Sequence, residues 1–153
     1  VKACAAGGVI AVLAMLSFPL SMDYRDEETL WSATVKKNPQ AWFAHSNLAE
    51  ALQKKADYNG AVLHFQAAMS IPKPPPREPV KNGAMLLSEL GRFDDAVKAL
   101  KPYVATHPSD SILMVMLGDM LLRAGRGEDA KVVYAGALEW INVDEVDATP
   151  GVS

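Results

Sequence analysis

Residues of one character recur along the chain at spacings of 35 and then 34 positions. Small residues stand at Ala49, Ala84 and Gly118, and each is followed three positions later by a leucine, Leu52, Leu87 or Leu121. A short polar break follows at Ala56-Asp57-Tyr58, Gly91-Arg92-Phe93 and Gly125-Arg126-Gly127. Beyond the break come Ala61, Ala96 and Ala130, then the bulky Phe65, Leu100 and Tyr134. One register relates all these columns. The pattern predicts helical hairpins. The two small-residue columns let antiparallel helices approach closely, and the leucine and bulky columns fill the space beside that approach. Gly91 and Gly125 fall where a first helix ends, since glycine reaches the left-handed conformation without steric penalty. Pro39 and Pro108 fall between units, where a helix must stop. A lone hairpin cannot bury its own apolar face, so the units must stack.

Three units follow: 42–75, 77–110 and 111–142. These residues resemble the tetratricopeptide repeat family, whose unit is a helix–turn–helix of about 34 residues. The resemblance implies an all-α solenoid that binds a protein or peptide. There are departures. His45 and Met114 replace the large aromatic of the first helix, Gly83 stands in the column of Leu48 and Leu117, and Gly127 replaces the turn aromatic of Tyr58 and Phe93. The second unit matches least well and is expected to pack most loosely.

Residues 24–41 are expected to hold a capping helix, the second half of a degenerate earlier unit. Asp26 can cap its start, Glu27 and Glu28 suit its dipole, and Trp31 falls in the column of Phe65, Leu100 and Tyr134. Between the first two units, Ile71-Pro72-Lys73-Pro74-Pro75-Pro76-Arg77-Glu78-Pro79 excludes helix and predicts an extended connector, which Pro79 ends by opening the next helix at its first position. Pro72 and Pro75 also spell PxxP, an SH3- or WW-type ligand pattern, but a stiff connector is the favoured reading because such motifs often match by chance. Residues 143–153 are acidic and are expected to be a disordered tail.

The hydrophobic pattern is different at the start. Ala3 to Met22 contains 20 residues and no charge, enough to span a bilayer as a helix of about 20 residues. Lys2 favours a cytoplasmic start, which puts the repeats on the extracytoplasmic, periplasmic or lumenal, side. Residues 1–23 are accordingly expected to be a transmembrane or signal-anchor helix, with a cleaved signal peptide and a buried helix as alternatives. The junction, an apolar span running into Asp26-Glu27-Glu28-Thr29-Leu30-Trp31 and then Asn38-Pro39, resembles the transmembrane-and-tetratricopeptide-repeat proteins, relatives of mannosyltransferases. That resemblance implies the C-terminal repeat region of a polytopic glycosyltransferase whose chemistry lies elsewhere. A third possibility is a secreted or periplasmic assembly factor.

Composition narrows the function. The net charge of −3 gives no basic face for nucleic acid. A single cysteine, Cys4, rules out an intrachain disulfide. Half the residues are hydrophobic and only 7% aromatic, which favours packed helices over sheets. No GxSxG, P-loop, HExxH, CxxC or GxGxxG motif occurs. His45 and His64 could approach across the first hairpin, but two histidines without a third ligand make a poor metal site. No catalytic residue, metal or cofactor is expected, and the acidic pairs Asp94-Asp95 and Glu128-Asp129 read as helix caps.

Binding remains. The first helices of stacked repeats line a concave groove. Phe43, Ser46, Glu50, Gln53 and Lys54 are expected there from the first unit, Lys81, Met85, Ser88 and Glu89 from the second, and Ile112, Val115, Asp119, Leu122 and Arg123 from the third. The Lys and Asn that clamp a C-terminal carboxylate in some tetratricopeptide proteins are replaced here by Ser46 and Glu50. A mixed apolar and polar peptide therefore fits better than a carboxylate tail.

Overall fold

The computed structural model describes residues 26–147. Within them lie seven helices: α1 Glu27–Lys37, α2 Trp42–Lys54, α3 Tyr58–Ser70, α4 Arg77–Glu89, α5 Phe93–Thr106, α6 Ser111–Arg123 and α7 Gly127–Asp147. They form three successive hairpins, α2/α3, α4/α5 and α6/α7, with α1 packed on α2, and no described residue lies in a strand. This is an all-helical, tetratricopeptide-type solenoid. The apolar segment expected to span a membrane, residues 3–22, lies outside the described residues. Among those described, no helix is long and apolar enough to cross a membrane.

Each hairpin turns in the same way. The chain N–H three residues past the helix reaches back to the leucine carbonyl of its column: Asp57 to Leu52 at 2.9 Å, Arg92 to Leu87 at 2.8 Å, and Arg126 to Leu121 at 2.8 Å. The closure requires a left-handed residue, and Gly91 and Gly125 supply it at φ +70° and +76°. In the first hairpin Ala56 takes that role at φ +63°, where its Cβ is crowded by backbone.

The small columns do what their size allows. Ala49, Ala61, Ala84, Ala96 and Ala130 are almost wholly buried, beside Phe65, Leu87, Leu100 and Leu121, in one core continuous through all three hairpins. Burying a side chain such as Phe65 contributes about 1.5–3 kcal/mol. At Gly118 the approach is so close that a Cβ would strike the Tyr134 ring.

Asp26 caps α1 by accepting from the Thr29 N–H at 2.9 Å. Glu27 and Glu28 of its first turn reach across to Lys54 and Lys55 at 2.6 and 2.7 Å. Trp31 meets Phe43 edge-on at 6.4 Å, so α1 covers the start of α2. Three local features differ from the sequence pattern. Pro79 is the third residue of α4, not the first. Its missing N–H still falls among those with no intrahelical partner, so the cost is small. Pro102 lies inside α5, which continues to Thr106. The last helix runs through Asp147, past Asn142 and into the acidic stretch expected to be tail.

Asp110 ties the second hairpin to the third. It caps α6 through the Leu113 N–H at 3.2 Å, and it accepts from Arg77 Nε at 2.7 Å and the Tyr103 hydroxyl at 3.1 Å. Burial pushes its carboxyl up, but Arg77, the Leu113 N–H and Tyr103 together hold it below the ordinary value.

Candidate binding groove

The first helices of the hairpins, α2, α4 and α6, carry all the residues expected to line the groove. Between α4 and α6 they enclose a cleft of about 360 Å³, lined by Met85, Ser88, Glu89, Ile112, Val115 and Asp119 together with Ala84, Met116 and Met120. Four of the groove's apolar side chains face outward: Ile112 is 63% exposed, Leu122 58%, Phe43 48% and Met85 46%.

Several polar members of the row are engaged within the chain, while Glu89 stands exposed in the cleft with no partner among the described residues. Glu50 accepts from Asn82 of α4 at 3.0 Å, which links the first two hairpins. Lys54 is paired with Glu27, and Lys81 with Glu78 at 3.3 Å. Arg123 donates to Ser88 across the cleft at 3.5 Å and lies over the Phe93 ring at 5.8 Å. The Tyr134 hydroxyl donates to Asp119, which raises the tyrosine's pKa through that bond and through burial. Ser46 is buried and offers little surface, and Gln53 is half-buried. What the groove presents is therefore a set of exposed apolar side chains among polar ones, several of which are held by bonds within the chain. Asn82, Met116 and Met120 were absent from the sequence-based row. Asn82 lies one position past Lys81 and could have been found only by knowing how the hairpins stack.

The two histidines of the first hairpin meet. Their Nδ1 atoms are 2.9 Å apart, and His45 Nε2 is 3.1 Å from the Pro39 carbonyl. A carbonyl can only accept, so His45 carries its proton on Nε2 and, when neutral, accepts at Nδ1 from the N–H of His64. Burial depresses the pKa of His64, the neighbouring His45 depresses it further, and Asp57 opposes both. Among the described residues no group of three His, Cys, Asp or Glu side chains could hold a metal ion. None of the buried side-chain nitrogen or oxygen atoms described lacks a partner.

The tetratricopeptide repeat family matches residues 82–143 of this chain. Among solved structures, one described as the crystal structure of MamA protein is similar at a TM-score of 0.69 and 15% identity, covering 92% of this chain and 76% of that one. A second MamA crystal structure gives a TM-score of 0.67 at 15% identity, covering 87% and 77%. A third, MamA AMB-1, gives 0.62 at 18%, covering 92% and 72%. At such identities the likeness shows a shared fold, the tetratricopeptide-type solenoid. The comparison with curated proteins found no match.

Proposed function

We propose that the chain is a membrane-tethered interaction scaffold that holds a partner protein or peptide in the α2/α4/α6 groove. The observation that carries this reading is the α4–α6 cleft with its exposed apolar rim, Met85 and Ile112, and with Leu122 exposed further along α6. A stripe of this kind favours an amphipathic segment that seats two or three apolar side chains, with Glu89 and Asp119 beside them to meet its polar face. Tethering through residues 3–22, with the repeats on the extracytoplasmic side, is supported by the uncharged run alone.

A photo-crosslinker at position 112 of the full chain, expressed in its native envelope, tests the groove. A defined adduct that disappears in Met85→Asp and Leu122→Asp supports it. Adducts that persist in both variants, or no adduct at all, count against it. Extraction with alkaline carbonate tests the tether, since a spanning helix keeps the chain in the pellet. The junction resemblance supports a second reading, the repeat region of a polytopic mannosyltransferase-like protein. The sequence upstream of Val1 decides it: many spans with a paired acidic motif in an early loop favour it, and a start codon at Val1 ends it.

A further inference from the structure

The larger cavity is not in the groove. It measures about 850 Å³ and opens between α3 and α5, the second helices of the first two hairpins, beneath the proline connector. Two sequence features create it. The first repeat spacing is 35 residues where the second is 34, and the connector residues Pro72 to Pro75 border the gap. Pro102, inside α5, cannot supply the N–H that would bond to the Lys98 carbonyl, which loosens the helix along this wall. Met69, Pro74, Leu87, Ala99 and Pro102 give the cavity an apolar lining.

Its charges are few and of unequal availability. Asp95 is held by Arg92, through Nε at 3.0 Å and Nη2 at 2.8 Å, and by Lys98 at 3.2 Å. Two cations on one carboxylate leave an excess of positive charge at the rim. Lys73, in the connector, adds another, and no ion pair engages it among the described residues. The helix ends beside the cavity would oppose an anion through their free carbonyls. The Ser70 hydroxyl donates to the Gln66 carbonyl at 2.7 Å and the Thr106 hydroxyl to that of Tyr103 at 3.0 Å, each within its own helix, so the lysines must outweigh that opposition.

We propose that this cavity binds a small amphipathic carboxylate, with its alkyl or aryl body against Met69, Leu87 and Ala99 and its anionic head at Lys73 and Lys98. The volume lies within the ~300–1,000 Å³ typical of small-molecule sites. A lining drawn from α3, the connector and α5 suits a compact ligand, whereas an extended peptide needs a trough running across several units.

Titrating the full chain calorimetrically with decanoate, below its micellar concentration, tests the proposal. One saturable site is expected. Ala99→Leu fills the cavity and should weaken binding about tenfold or more, as the loss of roughly 1.4 kcal/mol would. Thr106→Leu at the exposed mouth should weaken it without touching the core. Replacing Lys73 and Lys98 together by Gln should weaken decanoate about tenfold while leaving 1-decanol nearly unchanged. Met85→Asp, in the concave groove, should have no effect. Decanol binding as tightly as decanoate to the unaltered chain, or equal affinity in both leucine variants, would overturn the assignment, as would the absence of a saturable site.

Discussion

Gly118 of α6 stands where Ala49 and Ala84 stand in α2 and α4, and it faces the bulkiest partner of its column, Tyr134. A Cβ added there would lie 2.5 Å from one ring carbon and 2.8 Å from two others. Carbon atoms in contact prefer ~3.5–4.0 Å, so the ring must swing outward by about 1 Å. Moving it strains the hydroxyl bond to Asp119 and opens packing against α6, and overpacking of this kind typically costs ~1–3 kcal/mol. Alanine recovers about 1 kcal/mol through its helix propensity. The clash outweighs the gain, and Gly118→Ala should destabilise by about 1 kcal/mol. The second hairpin supplies the control, since its corresponding pair is Ala84 and Leu100. In a Tyr134→Leu background the same Gly118→Ala change should become stabilising, because the ring that it strikes is gone. Urea unfolding of the four chains, followed by circular dichroism, gives a coupling energy expected at about 2 kcal/mol, within the range for contacting residues. Gly136→Ala is a further comparison. Its new Cβ would meet only the flexible Met114 methyl at 3.0 Å, so propensity should win by ~0.5–1 kcal/mol. An equal penalty for Gly118→Ala in both backgrounds would remove steric conflict as the cause.

Other outcomes follow from the packing and the titrating groups. Ala96→Leu, in a fully buried small column, should cost ~1–3 kcal/mol, and an unchanged melting temperature would contradict the hairpin register. Ala56→Gly should raise stability by about 1 kcal/mol in urea unfolding, because Ala56 occupies the left-handed conformation that its neighbours in the column fill with glycine. Asp110→Ala should lose about 2 kcal/mol, combining a helix cap with a half-exposed charged pair. Since the Asp110 carboxyl is held below its ordinary value of 3.8, its contribution is present above about pH 4 and fades as pH falls further. His64 behaves in a related way. Its pKa lies below 6.5, so the folded chain resists protonation there more than the unfolded chain does. Stability should be full above pH 6.5 and fall as the pH drops below it. His64→Gln should flatten that slope in melting curves taken across the same range.

Much of the fold was legible before any coordinates. The columns at Ala49, Leu52, Ala61 and Phe65 and their repeats named the buried faces. Gly91 and Gly125 marked two of the three turns, and Asp26 and Trp31 announced the covering helix. Ala56 gave no such sign, because nothing in alanine's chemistry signals a positive φ. Its conformation is imposed by the hairpin that closes around it. Pro102 lies inside α5, where the packing of the helix along both its neighbours outweighs one lost backbone bond.

For the candidate groove, the sequence places the residues on the first helices but does not reveal their partners. Which residues sit on the first helices follows from local spacing. Whether they are free does not. Glu50 is bound to Asn82 across 32 positions and Arg123 to Ser88 across 35, and both links depend on the angle at which one hairpin settles on the next. The same holds for the cavity under the proline connector, where one extra residue in the chain became an opening only when α3 and α5 were placed side by side. Helices, turns and hairpin pairing rest on interactions within about one repeat, so the order of residues is enough to specify them. The free surface and the cavities are what remains after whole hairpins have stacked, and only that stacking could decide them.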